Sequence, residues 1–125
     1  MNALNNLFIP GETHRGAADY ETTVEINPDD ALFDVHFPNM PIVPGACLIG
    51  YAAHCISQWA EGDRITVQSV PRAVFNSPVV PGMKLKLQVV LSSKADGQGK
   101  AVCRYLSDQG MSAQVVLEFS SAGGE

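Results

Sequence analysis

From Pro44 to about Trp59 the chain runs through one stretch that is apolar on nearly every side. Ala46, Cys47, Leu48, Ile49, Ala52, Ala53, Cys55, Ile56 and Trp59 fall at helical spacing. Proline is tolerated in a first helical turn, where its missing N–H costs nothing. Glu61-Gly62-Asp63 ends the run. A helix with apolar residues around most of its circumference has to be covered on most sides, by its own fold or by a partner. The rest of the chain must therefore supply something that wraps it.

The period switches to two after this helix. Ile65 to Val74 predicts a strand broken near Pro71, and Pro78 to Gly82 a turn-rich crossing. Met83, Leu85, Leu87, Val89 and Leu91 alternate with Lys84, Lys86 and Gln88, the pattern of a half-buried strand. Ala101, Cys103 and Tyr105 alternate in the same way. Ser107-Asp108-Gln109-Gly110 reads as a hairpin turn, and Met111, Ala113, Val115, Leu117 and Phe119 as the returning strand. Before the helix, Ala18 to Ile26 is rich in strand formers, and Asn27-Pro28-Asp29-Asp30 is a turn. Residues 1–16 read as irregular, with a weak helical turn at 2–8 and a loop from Ile9 to Gly16. Ala31 to Phe37 is short and apolar, with no state assigned, and residues 120–125 read as a frayed tail. One buried helix and four or five antiparallel strands predict an α+β chain: a single antiparallel sheet wrapped around one central helix, the hotdog architecture. Such a curved sheet leaves an edge and part of the helix open for a second subunit.

Composition bounds the function classes. At 125 residues, 46% hydrophobic and 17% charged, the chain reads as one globular domain over residues 1–125. A formal charge of −5 argues against a nucleic-acid partner, because duplex binding needs a basic face. No apolar run has the length of a membrane span. Met1 to Pro10 lacks a basic start and a hydrophobic signal core, so a cytoplasmic protein is expected. Cys47, Cys55 and Cys103 sit inside apolar patterns and read as free thiols.

One segment carries chemistry. His36-Phe37-Pro38-Asn39-Met40-Pro41-Ile42-Val43-Pro44-Gly45 places a histidine before three prolines at three-residue spacing, with a glycine where the helix begins. The prolines fix φ and remove three backbone donors, so this linker is stiff and cannot pair as an inner strand. A stiff mount between a titratable side chain and a helix N-terminus is a candidate site.

His36-Phe37-Pro38-x-x-Pro41-Ile42-Val43-Pro44-Gly45 resembles the signature of bacterial 3-hydroxyacyl-[acyl-carrier-protein] dehydratases. Val74-Phe75-Asn76-Ser77-Pro78-Val79-Val80-Pro81-Gly82 resembles that family's second common segment. The likeness spans about residues 18 to 119, and two motifs at the expected separation are more specific than either alone. The resemblance implies that His36 removes a proton from C2 of a 3-hydroxyacyl thioester. A carboxylic acid then protonates the hydroxyl leaving C3, giving a trans-2-enoyl thioester and water. It implies that Gly45 offers a backbone N–H to the thioester oxygen, and that Phe37, Val43, Leu48, Gly50 and Tyr51 line the substrate. The implied partners are an acyl carrier protein, whose phosphopantetheine arm carries the chain, and a second subunit of the same or a related kind. No cofactor is implied. A free imidazole suits base catalysis at neutral pH, and open amides at a helix start stabilise an enolate oxygen.

The chain departs from that pattern where the acid belongs. The family's acid lies on the helix fourteen residues after the histidine, which in this chain is Gly50; the glutamine usual one turn later is His54. Val35 also replaces a glycine before the histidine. Three readings follow. The chain is one subunit of a heterodimeric dehydratase whose partner supplies the acid; or it works alone with a relocated acid, His54 or less directly Tyr51; or it is a non-catalytic acyl- or partner-binding subunit, a thioesterase being the weaker enzymatic variant. The missing acid points to a specialised pathway such as polyene, polyketide or other secondary lipid synthesis.

His54 fits a packed or interface residue, and Cys47 fits core packing because no base is assigned to it, although a helix N-terminus can lower a thiol's pKa. His36, His54, Cys47 and Cys55 match no usual zinc spacing. His14 sits in a polar stretch, and Lys84 and Lys86 read as solvated charges.

Overall fold

Among the described residues there are six strands and one helix, in the order β1 (Phe8–Arg15), β2 (Asp19–Ile26), α1 (Gly45–Trp59), β3 (Ile65–Phe75), β4 (Lys84–Ser93), β5 (Gln98–Ser107) and β6 (Gly110–Ser121). The computed structural model describes residues 7–16, 18–30, 42–59, 65–93 and 98–121. The strands form one sheet in the order β1-β2-β4-β5-β6-β3, and every neighbouring pair is antiparallel. The chain leaves β2 near one edge, passes through α1, and re-enters the sheet as β3 at the opposite edge. The helix is thereby carried across the sheet, as the hotdog architecture requires.

The buried stripe of α1 is Leu48, Tyr51, Ala52, Cys55 and Ile56, the i, i+3, i+4, i+7, i+8 spacing of one helix face. It packs in the same core as the inward residues of the central strands: Leu85, Leu87 and Val89 of β4, Ala101, Cys103 and Tyr105 of β5, and Ala113, Val115 and Leu117 of β6. The Tyr105 hydroxyl donates to the Leu48 carbonyl across 2.7 Å. A fully buried phenol without an acceptor would carry an unpaid desolvation cost, so this bond fixes where the helix sits over the sheet. The other sides of α1 are less covered. Cys47, Ile49, Gly50, Ala53 and His54 are half-buried, and Ala46 and Gln58 are exposed.

Several expectations change at the edges. Ile9 to Gly16 is not a loop: through Arg15 it belongs to β1, paired with β2 from Phe8↔Ile26 to Arg15↔Tyr20. The register breaks between Pro10 and Thr13, so Gly11 and Glu12 form an irregularity. A proline is permitted because β1 is an edge strand. Every β1 residue after Phe8 is exposed, so the strand lacks the alternation that would reveal it. The strand with Pro71 is continuous from Ile65 to Phe75, also at an edge, and absorbs the proline through register shifts between Val67 and Arg72. Ser120 and Ser121 are not frayed but pair with Thr66 and Ile65. Ser107 and Gly110 pair across the tight turn of the β5–β6 hairpin, with Gly110 at φ 116°, a left-handed conformation that favours glycine. The expected turn at 2–8 falls outside the described residues except for Leu7 and Phe8, and Phe8 opens β1. The segment 31–37 and residues 122–125 also lie outside them.

Two outcomes follow from this packing. Tyr105→Phe keeps the ring and removes the bond to Leu48; it should cost about 1 kcal/mol in urea unfolding with no change in the denaturant slope. Burial pushes the Cys103 thiol up from its ordinary 9.0 to about 12, and the Tyr20 hydroxyl from 10.0 to about 12. Above pH 9 the unfolded chain loses protons that the folded chain keeps, so the unfolded state is favoured as pH rises. Stability from these groups should be complete below about pH 9 and fall progressively towards pH 12, as measured by urea midpoints across that range. A midpoint that rises over the same interval would contradict this burial.

Candidate active site

The start of α1 is set by Ile42-Val43-Pro44. The Val43 N–H donates to the Val79 carbonyl over 2.7 Å, which ties the segment before the helix to the second motif. Val43 and Val79 are both buried. Pro44 then accepts from Cys47 N–H at 2.9 Å and Leu48 N–H at 3.4 Å, a tight first turn. The amides of Gly45 and Ala46 precede any possible intrahelical acceptor, as the first N–H groups of every helix do. They form the positive end of the helix dipole, which favours negative charge nearby.

Gly45 has a second reason to be glycine. A Cβ built there would lie 2.7 Å from the tip of the Phe75 ring and 3.0 and 3.1 Å from its neighbouring carbons. Phe75 ends β3 and is 48% exposed. Its ring lies against the first turn of the helix, so the two motifs meet in space at Gly45 and Phe75. Phe75 was not among the residues singled out from the sequence. Its place in the second motif was the available signal, but the contact links residues thirty positions apart.

The remaining candidates divide. His36 and Phe37 lie outside the described residues. Val43 and Leu48 belong to the hydrophobic core. Gly50 is half-buried in the second turn of α1, and His54 follows it by four residues on nearly the same side. Tyr51 is buried, stacked on Phe8 with ring centroids 4.2 Å apart and planes 12° apart. Its hydroxyl bonds to the Cys55 thiol, and burial drives its pKa well above the ordinary tyrosine range. That phenol stays neutral and is committed inward. His54 is half-buried, with its ring 6.1 Å from that of Tyr51, in a cleft between α1 and β1. Gly45 and His54 are nine residues apart, which is about 14 Å along the axis and about half a turn around it. Within one subunit, the helix start facing Phe75 and the imidazole facing β1 therefore lie on opposite sides of α1.

Burial disfavours the thiolate form of all three cysteines. Burial raises the Cys47 pKa, and the charge of Asp30 raises it further, so packing outweighs any effect of the helix end. Burial also raises Cys55, offset only in part by hydrogen bonds from Tyr20 and Tyr51. Among the described residues, no three His, Cys, Asp or Glu side chains gather as a metal site, and no helix is long and apolar enough to cross a membrane.

The close approach at Gly45 is directly testable. Gly45→Ala should destabilise the fold by roughly 1–3 kcal/mol, the range for overpacking. In a Phe75→Ala background most of that loss should vanish, giving a coupling of at least about 0.5 kcal/mol in a double-mutant cycle of urea midpoints. Additive losses would mean that the ring does not constrain residue 45.

Comparison with known proteins agrees with this architecture and these motifs. Residues 12–115 match the model of the ApeI-like family, described as ApeI dehydratase. Among relatives, the 3-hydroxyacyl-[acyl-carrier-protein] dehydratase FabZ of Deinococcus radiodurans is 29% identical over 90% of this chain and 79% of its own length. The protein of the same name from Lactobacillus helveticus is 26% identical over 78% of this chain and 70% of its own. Among solved structures, the dehydratase heterocomplex ApeI:P from Xenorhabdus doucetiae superimposes with a TM-score of 0.75 at 22% identity, covering 90% of this chain and 97% of that one. The Escherichia coli PaaI protein, from the phenylacetic acid degradation operon, has a TM-score of 0.66 at 12% identity over 93% of this chain and 80% of its own, a likeness of fold alone. With the family model matched over most of its length, the chain belongs to the ApeI-like dehydratases, hotdog proteins of the 3-hydroxyacyl-[acyl-carrier-protein] dehydratase kind.

Proposed function

We propose that this chain is the base-bearing subunit of a heterodimeric dehydratase acting on 3-hydroxyacyl chains held by an acyl carrier protein. The observation that carries this reading is the make-up of α1. Gly45–Trp59 contains no Asp or Glu, and glycine stands at the acid position, 50. Hydroxide is a poor leaving group, so elimination needs a proton donor at C3, and a helix without a carboxylate does not provide the usual one. The existence of a Xenorhabdus dehydratase heterocomplex of the same fold supports the pairing.

In this reading His36 takes the C2 proton, and the resulting enolate oxygen rests against the amides of Gly45 and its neighbour. The electron pair then forms the C2–C3 double bond as the C3–O bond breaks. The leaving oxygen receives its proton from the partner's acid and departs as water. The half-covered sides of α1 and the open edge of β3 offer the surface for that partner. Val70 is 38% exposed on that edge, and the adjacent Pro71 has no N–H to leave unpaired. The relocated-acid reading is weaker within a single subunit, because His54 sits in the cleft against β1, beside the Tyr51 ring. Tyr51 is weaker still, since its hydroxyl is bonded to Cys55.

Mixing the chain with a related hotdog subunit that carries a helix carboxylate should yield enoyl thioester from a 3-hydroxyacyl carrier-protein substrate. His36→Ala in this chain should lower the rate of the mixture by about 10²–10⁴, the usual contribution of a positioned base. His54→Ala should change it little. Full turnover by the mixture carrying His36→Ala removes His36 as the base. Turnover by the chain alone that His54→Ala abolishes establishes the relocated acid instead. Carrier protein retained without turnover under any pairing establishes the binding-only reading. Gly50→Glu in the unmixed chain should produce activity where the wild type has none.

A further inference from the structure

A cleft of about 380 Å³ opens between the second half of α1 and the edge strand β1, on the side of the helix away from Gly45. That volume lies in the lower range of small-molecule pockets. At about 30 Å³ per water, it matches a molecule of about a dozen non-hydrogen atoms. Its rim is polar: Thr13 and Arg15 from β1, His54 and Gln58 from α1. Its inner wall is aromatic, with the stacked rings of Phe8 and Tyr51, next to Tyr20 and Cys55. Tyr20, Tyr51 and Cys55 are each more than nine-tenths buried, so polar atoms are held at the bottom of the cleft on the core side.

The charge distribution is one-sided. The chain has 13 acidic and 8 basic residues, yet among the described residues the lining contains a guanidinium and an imidazole and no carboxylate. Arg15 lies close enough to Tyr20 for its charge to act against the burial that raises the Tyr20 hydroxyl. Thr13 is held in place by a 2.9 Å hydrogen bond to the buried Thr22. The break in register at Gly11 and Glu12 lies in the same strand and shifts Thr13 and Arg15 relative to β2. One exposed cation, Arg15, beside an aromatic wall suits a monoanion on an apolar body. A phosphate dianion would demand more donors and bring no apolar surface to Phe8 and Tyr51.

We propose that this cleft is a second ligand site, separate from the reaction centre, which takes a small organic carboxylate with its headgroup on Arg15 and its apolar body along Phe8 and Tyr51. The guanidinium fork matches a carboxylate in two parallel hydrogen bonds, and Gln58 provides a further donor at the rim. The body could be an alkyl chain or a ring; both share this chemistry.

The test uses the full chain and calorimetric titration with octanoate, benzoate and octan-1-ol. At least one of the two acids should bind, and whichever binds identifies the body. Octan-1-ol should bind at least tenfold more weakly than octanoate if the alkyl acid is the ligand. Arg15→Gln should weaken the acid at least tenfold, while Arg15→Lys, which keeps the charge but not the fork, should fall between. Arg15 is exposed, so these variants should fold, as an unchanged urea midpoint would verify. No binding by either acid overturns the site, as does binding unaffected by Arg15→Gln. Displacement of the bound acid by a 3-hydroxyoctanoyl thioester would place it at the reaction centre and equally overturn a separate site. Binding of the acids that persists while the dehydratase mixture fails to turn over would leave this site standing without the proposed reaction.

Discussion

The seating of α1 in the curl of the sheet is the constraint on which everything else depends. Leu48, Tyr51, Ala52, Cys55 and Ile56 bury one stripe against β4, β5 and β6. Burying each large side chain among them is worth roughly 1.5–3 kcal/mol, but a stripe of apolar contacts alone would let the helix slide. The Tyr105 hydroxyl on the Leu48 carbonyl opposes sliding, because displacement would strand a buried donor. The Val43–Val79 bond fixes the point at which the chain turns into the helix. Between them, these two bonds determine where the open amides at residue 45 lie.

A helix held in this way has sides with different uses. Its start lies under Phe75 at the β3 edge, where any side chain at residue 45 would press on the ring. Its later turns face β1 across a cleft lined by Arg15 and His54. Gly50 lies between these regions and offers no side chain. The helix thus keeps the positive end of its dipole while carrying no carboxylate along its length. Electrostatic stabilisation of an enolate and protonation of a leaving group are separable contributions to catalysis, and separate subunits can supply them.

Much of this was readable from residue order. The helix was visible because its apolar positions recur at 3.6-residue spacing. The strands β4, β5 and β6 were visible because each alternates with one face in the core. Both motifs were visible as prolines and glycines flanking the helix start and the crossing before β4. What escaped was at the edges. Nearly all of β1 is exposed, so its side chains carry no record of the strand, and Pro10 and Gly11 read as loop. Pro71 suggested a break because a proline inside a sheet removes a ladder bond, yet at an edge the bond is not required. The contact of Phe75 with Gly45 and the gathering of Arg15, Tyr20 and His54 are products of the sheet's curl. Residues distant in sequence meet there, and no local pattern announces it.

The central claim is that this chain holds a base and an oxyanion-stabilising helix end but lacks the acid. The most direct measurement is to incubate the purified chain, without a partner, with a 3-hydroxyacyl thioester in deuterated water and follow C2 and C3 by NMR. The account predicts deuterium exchange at C2, lost in His36→Ala, with no enoyl product. Elimination of water by the chain alone, or the absence of any C2 exchange, would contradict it.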